Sequence, residues 1–184
     1  MSVLPIYTYG TAVLRKKAQP ITGVNDEVLK LIMEMFETMR DANGIGLAAN
    51  QVGILQRVIV VDISGVEETK DVKPVSLINP EVIAQEGARV MEEGCLSIPD
   101  VRDDVERAEK IKVRYKDTNF RDVQIEADGL LARVILHEID HLNGILFIDH
   151  LSSSRRKLHR EQLKGIKRGE MEVSYPVVTA NVTV

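Results

Sequence analysis

The chain has 184 residues, 44% of them apolar and 28% charged, with 24 Lys and Arg against 28 Asp and Glu. That size and composition suit one folded domain with a sizeable core and exclude a disordered or fibrous chain. A net charge of −4 argues against attachment to nucleic acid by overall charge, and no apolar run approaches the roughly 20 residues needed to span a membrane.

From Asp26 to Met39, the residues Val28, Leu31, Ile32, Met35, Phe36 and Met39 recur at helical spacing, with Asn25 as cap and Asn43-Gly44 as stop. A Gly-rich segment, Gly44 to Gly53, follows. Its Gly44-x-Gly46-x-x-Ala49 spacing satisfies a loose dinucleotide fingerprint, but a helix precedes it where that motif needs a strand. Arg57 to Ile63 is a β-branched run that predicts a buried strand, and Gly65 to Lys73 is a polar surface loop. Val75–Ile78 and Val82–Gln85 are predicted as separate short strands, and Lys110–Ala127 as a hairpin turning at Thr118-Asn119. Leu130–Asn143 is the second strong helix, with Asp128 near its start and Gly144 just past its end. Ser154–Lys167 is a third helix, rich in Lys and Arg. Residues 171–184 form a β-branched tail, read either as a peripheral strand or as disordered. Strands grouped between helices, without strict alternation, argue for the α+β class.

The chemistry concentrates in His137-Glu138-Ile139-Asp140-His141. On a helix, residues four apart lie about 40° apart around the axis and about 6 Å apart along it. Two imidazoles can then share one metal ion, with Glu138 beside them for general acid/base work. The motif sits late in an amphipathic helix, with Leu130 and Val134 on the same face. A catalytic site of this kind has three protein ligands and one open position. The metzincin pattern fails, because the residue three beyond Gly144 is Phe147. The gluzincin pattern offers Glu161, 20 residues beyond His141 but on a strongly basic helix. The stronger candidate is Cys95, a soft donor suited to a divalent transition metal. Taken alone, a cysteine is more often a buried packing residue. The neighbouring Glu92-Glu93-Gly94, however, does not read as a core strand. With one cysteine no intrachain disulfide exists, and no apolar core precedes Arg15-Lys16-Lys17 as in a secretory signal. A reducing, cytoplasmic setting is therefore expected.

Three segments in this order, Gly44-Ile45-Gly46-Leu47-Ala48-Ala49-Asn50-Gln51, Glu93-Gly94-Cys95-Leu96-Ser97 and His137-Glu138-Ile139-Asp140-His141, resemble the three motifs of peptide deformylases. The resemblance runs from about Ile6 to Leu151, and the short intervening segments look like the compact bacterial type. It implies antiparallel β-sheets packed around a central helix carrying the H-E-x-x-H motif, with a C-terminal helix. It further implies a single catalytic metallohydrolase domain over residues 1–170, followed by the tail. Cys95, His137 and His141 would be the metal ligands, and Glu138 the general acid/base. The Gln51 side-chain amide and the Leu96 backbone N–H would hold the developing oxyanion. Ile45, Gly46 and Gly94 would flank an extended substrate backbone, with Arg102, Arg133 and Val134 near the methionine pocket. The implied cofactor is one divalent ion, ferrous iron, with zinc, nickel or cobalt as alternatives. The implied reaction removes formate from N-formylmethionyl peptides with water activated at the metal. The chain departs from many members in having Leu136 before the first histidine, and its tail matches nothing in the family pattern.

Two other functions compete. One is a gluzincin-like zinc endopeptidase using Glu161. The other is a non-catalytic ribosome-binding module, acting through the basic helix at residues 154–168. Its Arg155, Arg156, Lys157, Arg160, Lys164, Lys167 and Arg168 have only Glu161 as counter-charge within the helix. The resemblance to peptide deformylases also implies that the basic helix touches ribosomal RNA. His150 and His159 are expected to be surface or loop residues without a role.

Overall fold

The computed structural model describes residues 2–180. Its first long helix, α1 (Asp26–Asp41), starts where the Asn25 side chain accepts the Val28 N–H. That bond satisfies one of the donors a helix start leaves free. Val28, Ile32, Met35 and Met39 turn inward, as the spacing predicts.

α1 covers one face of a five-stranded antiparallel sheet. In spatial order the strands are β2 (Gly46–Ala48), β3 (Val58–Val61), β4 (Val75–Glu86), β7 (Lys110–Lys116) and β8 (Asp122–Asp128). The four β-branched residues of β3 are all buried, because each face of the sheet is covered there. Val58 and Val60 join the cluster under α1. Ile59 and Val61 join the cluster under the second helix, α2 (Gly129–Leu142). This explains a run without hydrophobic alternation.

The two strands predicted at Val75–Ile78 and Val82–Gln85 are one strand, β4. A bulge at Asn79-Pro80 carries it past the breaking signal, with a register shift between Ile78 and Glu81. Asn79 stands at φ 51, and its side chain both accepts the Ile21 N–H and donates to the Ile21 carbonyl. The side chain thus serves Ile21 as a strand partner would.

A second hairpin, β5 (Arg89–Cys95) with β6 (Ile98–Arg107), was not expected from the sequence. The Glu92-Glu93-Gly94 triplet does lie in a strand. On β6 the inward series is Val101, Asp103, Val105 and Arg107, so charge falls on the buried face as well as on the exposed one. The hairpin's inner apolar residues pack with Leu146, Phe147, Leu163 and Ile166 in a third cluster.

The predicted basic helix is two helices, α3 (Ser153–Leu158) and α4 (Arg160–Arg168), broken at His159. His159 Nε2 lies 2.7 Å from buried Asp103 Oδ2, and Arg155 also bonds that carboxylate. The counter-charges for this helix pair therefore include Asp103, and Glu170 through Arg168, in addition to Glu161. His150 likewise has a partner, Asp140, at 2.7 Å.

After α4 the chain turns at Gly169 and runs back to the N-terminus. There β9 (Val177–Val178) pairs in parallel with β1 (Ile6–Tyr7). The tail thus contributes a short peripheral strand at Val177–Val178; residues 181–184 lie outside the described residues. Among the described residues no helix is long and apolar enough to cross a membrane.

Candidate metal centre

α2 is buried on nearly every side and presents its motif histidines one turn apart, with ring centroids 5.0 Å from each other. Cys95 ends β5 at a register shift, in the tight turn that leads to Ile98. That turn brings Cys95 Sγ to 3.2 Å from His141 Nε2. One donor atom each from Cys95, His137 and His141 lies within 4.8 Å of the others. A soft sulfur and two imidazoles, converging from two elements with a cleft alongside, fit one divalent transition-metal ion. Glu161 is exposed, bonds Lys164 at 2.8 Å and stands outside this group. The gluzincin alternative therefore fails: its ligand sits on an outer helix, and a cysteine occupies the third position.

The three donor side chains are held by a buried ion network. Glu93 Oε2 lies 2.9 Å from His137 Nδ1, which leaves His137 Nε2 free to face a metal ion. The same carboxylate accepts Arg107 at 2.6 and 3.0 Å and Arg133 at 2.8 Å. Burial alone would raise the Glu93 pKa, but His137 and Arg107 hold it far below the carboxylate range. Arg107 also bonds Asp140, linking the network to the far side of α2. Burial, together with the charges of His137 and Arg107, holds His141 well below the ordinary imidazole value.

Glu138 is buried beside the centre with one carboxylate oxygen unpartnered among the described residues. Burial pushes it up to about 7, against the pull of His137. Gln51 accepts the Ala48 N–H through its carbonyl oxygen at 2.8 Å. Its amide nitrogen is thereby turned toward Ser97 Oγ at 3.2 Å and Cys95 Sγ at 3.6 Å. Leu96 follows Cys95 in the turn, and its carbonyl accepts the Tyr175 hydroxyl at 2.8 Å. Burial pushes the Tyr175 phenol up to about 12, which keeps it a donor.

These groups open on a cleft of about 530 Å³, lined also by Ile45, Gly46, Gly94, Arg102, Arg133 and Val134. Every site residue expected from the sequence therefore borders the cleft or belongs to the metal group, His141 through the latter. Two of them differ in setting from the sequence picture. The Arg133 guanidinium is taken up by Glu93 and the carbonyls of Val105 and Arg89. At Gly46, a Cβ would meet Glu138 Oε1 at 2.5 Å and Val134 Cγ1 at 2.6 Å. The glycine thus lets β2 approach the catalytic helix, whatever it also offers a substrate. Sequence reasoning assigned no role to Glu93, Arg107, Asp140 or Tyr175. No local signal marks them: the inward charges of β6, Asp103 and Arg107, alternate with Val101 and Val105, and the pattern does not tell them from the outward ones.

The sequence pattern of the polypeptide deformylase family matches residues 3–157. A peptide deformylase of Chlorobium phaeovibrioides is 47% identical over 178 residues, covering 97% of this chain and 94% of that protein. Among solved structures, a peptide deformylase from Legionella pneumophila superposes with a TM-score of 0.84 at 40% identity, over 92% of this chain and 98% of the other. A Met-Ala-Ser-bound class I type b peptide deformylase from Acinetobacter baumannii gives 0.77 at 38% identity, over 82% and 99%.

Proposed function

The chain belongs to the peptide deformylase family, metal-dependent hydrolases that remove the N-terminal formyl group from nascent polypeptides, and from that premise we propose how its residues divide the reaction. Cys95, His137 and His141 hold one divalent cation, ferrous iron by family likeness, with zinc, nickel or cobalt as substitutes. When bound, the cation supplies Lewis acidity that polarises the formyl carbonyl and activates water. The observation that carries this reading is the convergence of one sulfur and two imidazoles beside the cleft.

Glu138 takes the proton of the attacking water and delivers it to the departing amine. A carboxyl raised to about 7 suits both directions of transfer. Gln51 Nε2 and the Leu96 N–H donate to the developing oxyanion, each worth about 3–4 kcal/mol in the transition state. Ile45, Gly46 and Gly94 flank an extended peptide. Val134 and the side of Arg133 bound the methionine pocket, with exposed Arg102 at its rim beside Glu92. The bound Met-Ala-Ser of the Acinetobacter relative supports an N-terminal methionyl peptide as the cleft's occupant. Residues 1–170 supply the metal-holding and reacting groups of one catalytic domain, and the reaction belongs in the cytoplasm, where formylated chains emerge.

Anaerobically prepared protein should carry about one metal ion per chain, by the three-donor reasoning, and the same sample should release formate from formyl-Met-Ala-Ser. Absence of activity with iron, nickel and cobalt alike overturns the assignment.

A second reading concerns the partner. Arg156, Lys157, Arg160, Lys164 and Lys167 surround one groove beside Tyr9, which favours contact with ribosomal RNA. Ribosome cosedimentation should weaken with salt, by a log–log slope of about −0.7 to −0.9 per phosphate neutralised. Cosedimentation unchanged on removal of residues 152–184 ends that idea and leaves the enzymatic reading standing.

A further inference from the structure

The tail after α4 does more than close a strand pair. Glu172, Val173, Ser174 and Tyr175 line the same cleft as Cys95 and Glu138. The segment is fixed on its far side by the β1–β9 pairing, in which the Pro176 carbonyl accepts the Ile6 N–H at 2.9 Å and the Val178 carbonyl accepts the Thr8 N–H at 3.0 Å. Just ahead of these anchors the Tyr175 ring packs on the cluster that contains Ile6, Leu47 and Ala49. Its hydroxyl donates to the Leu96 carbonyl at 2.8 Å.

The turn receiving that bond is held by two further contacts. The Ser97 carbonyl accepts the Tyr9 N–H at 2.8 Å, and Ser97 Oγ lies 3.2 Å from Gln51 Nε2. These contacts hold Ser97, and the Tyr175 bond holds the Leu96–Ser97 peptide, which joins at the Leu96 Cα the Cys95–Leu96 peptide that carries the Leu96 N–H. The Tyr175 contact differs from the others in coming from the tail, which the sequence left without a function. A catalytic donor misplaced by about 1 Å can lose a large share of its effect, so a clamp on the adjoining peptide acts on rate.

We infer that Tyr175 is a positioning residue for deformylation: through the Leu96 carbonyl it fixes the turn whose N–H faces the oxyanion, making the tail part of the active site. This rests on the reading of Cys95–Leu96 given above. Tyr175 touches no reacting atom and works by restricting the turn.

The test compares Tyr175→Phe with Glu138→Gln in the full-length, metal-loaded enzyme, using formyl-Met-Ala-Ser for kinetics and Met-Ala-Ser for product affinity. Tyr175→Phe keeps the ring and removes only the hydroxyl. Its kcat should fall about threefold to tenfold, the value of one neutral hydrogen bond. KM, product affinity, metal content and melting temperature should stay at wild-type values. A residue serving only as cleft wall would move KM and product affinity with kcat, and that result overturns the inference. Wild-type kcat in Tyr175→Phe, with Glu138→Gln inactive, overturns it while sparing the site reading. Full activity in Glu138→Gln overturns the site reading and this inference together.

Discussion

The two faces of α2 are built on opposite principles. Toward the five-stranded sheet it meets an apolar layer in which Ile59, Val61, Leu77 and Val113 are buried with Ile135 and Leu142. Toward the β5–β6 hairpin it meets ions: the helix's own Arg133 and the hairpin's Arg107 both bond Glu93, and all three are buried. Apolar burial is favourable by area and indifferent to direction. A buried ion network contributes little net stability, since desolvation offsets the attraction, but it tolerates few geometries. The sheet side therefore supplies stability, and the hairpin side fixes where Sγ and the imidazoles point.

The largest effect should come from cutting the network at its centre. Glu93→Ala leaves Arg107 and Arg133 buried without their carboxylate and should cost about 3–5 kcal/mol. It also frees His137, so metal affinity of the folded fraction should fall about 10- to 100-fold. Ile59→Ala on the sheet side should cost a comparable 2–5 kcal/mol or so by cavity formation, with metal affinity of the folded fraction unchanged. Denaturant titration and metal competition on both variants measure this. Equal losses of affinity would erase the distinction between the two sides.

Gly46→Ala probes the seam between the sides. The added carbon would have to displace Glu138 or Val134, at an overpacking cost of about 1–3 kcal/mol. Because one of the displaced groups is the acid/base, kcat for formyl-Met-Ala-Ser should fall at least about tenfold, the value of a 1.4 kcal/mol misfit, while metal stays bound. Unchanged kcat would mean that the Glu138 carboxylate does not need its present position.

The same division decides what the sequence discloses. Both long helices and the β7–β8 hairpin follow from periodicity, and β3 from its β-branched run, because in each the burial is apolar. His137, His141 and Glu138 follow from motif spacing and Cys95 from its softness as a donor and its neighbours, with Gln51 and Leu96 added by family likeness. The β5–β6 hairpin escapes, because Asp103 and Arg107 look like solvent residues until their partners Arg155, His159, Glu93 and Asp140 are seen. Those partners come from distant parts of the chain, so local pattern carries no trace of the pairing. Tyr175 escapes for the same reason, its acceptor being 79 residues away in sequence.

Asp103 gives the comparison a pH axis. Burial would raise its pKa, but hydrogen bonds from Arg155 and His159 lower it below the usual aspartate value. A lowered folded-state pKa means that the contribution to stability is present above about pH 4, the unfolded value. It is lost as pH falls through the folded value. Asp103→Asn should therefore be less stable than the parent near neutrality, with the gap closing below about pH 4. Denaturation midpoints across that range test the sign: a gap that widens toward acid would show that the Asp103 carboxylate does not tie α3 and α4 to β6.

The smallest effect makes the comparison sharpest. Arg114 and Glu81 on the outer sheet approach to 2.6 Å, the distance between Arg107 and Glu93. Their side chains are 53% and 60% exposed, against 5% and 4% for the buried pair. In water the attraction is screened and two flexible side chains must be ordered to gain it. Arg114→Ala should leave the denaturation midpoint and kcat unresolved from the parent. Arg107→Ala removes the partner that buried Glu93 shares with half-buried Asp140, and both quantities should drop. If the exposed pair proved as costly to break as the buried one, contact distance rather than burial would govern these ions. The hairpin side would then owe its geometry to something other than its buried charges.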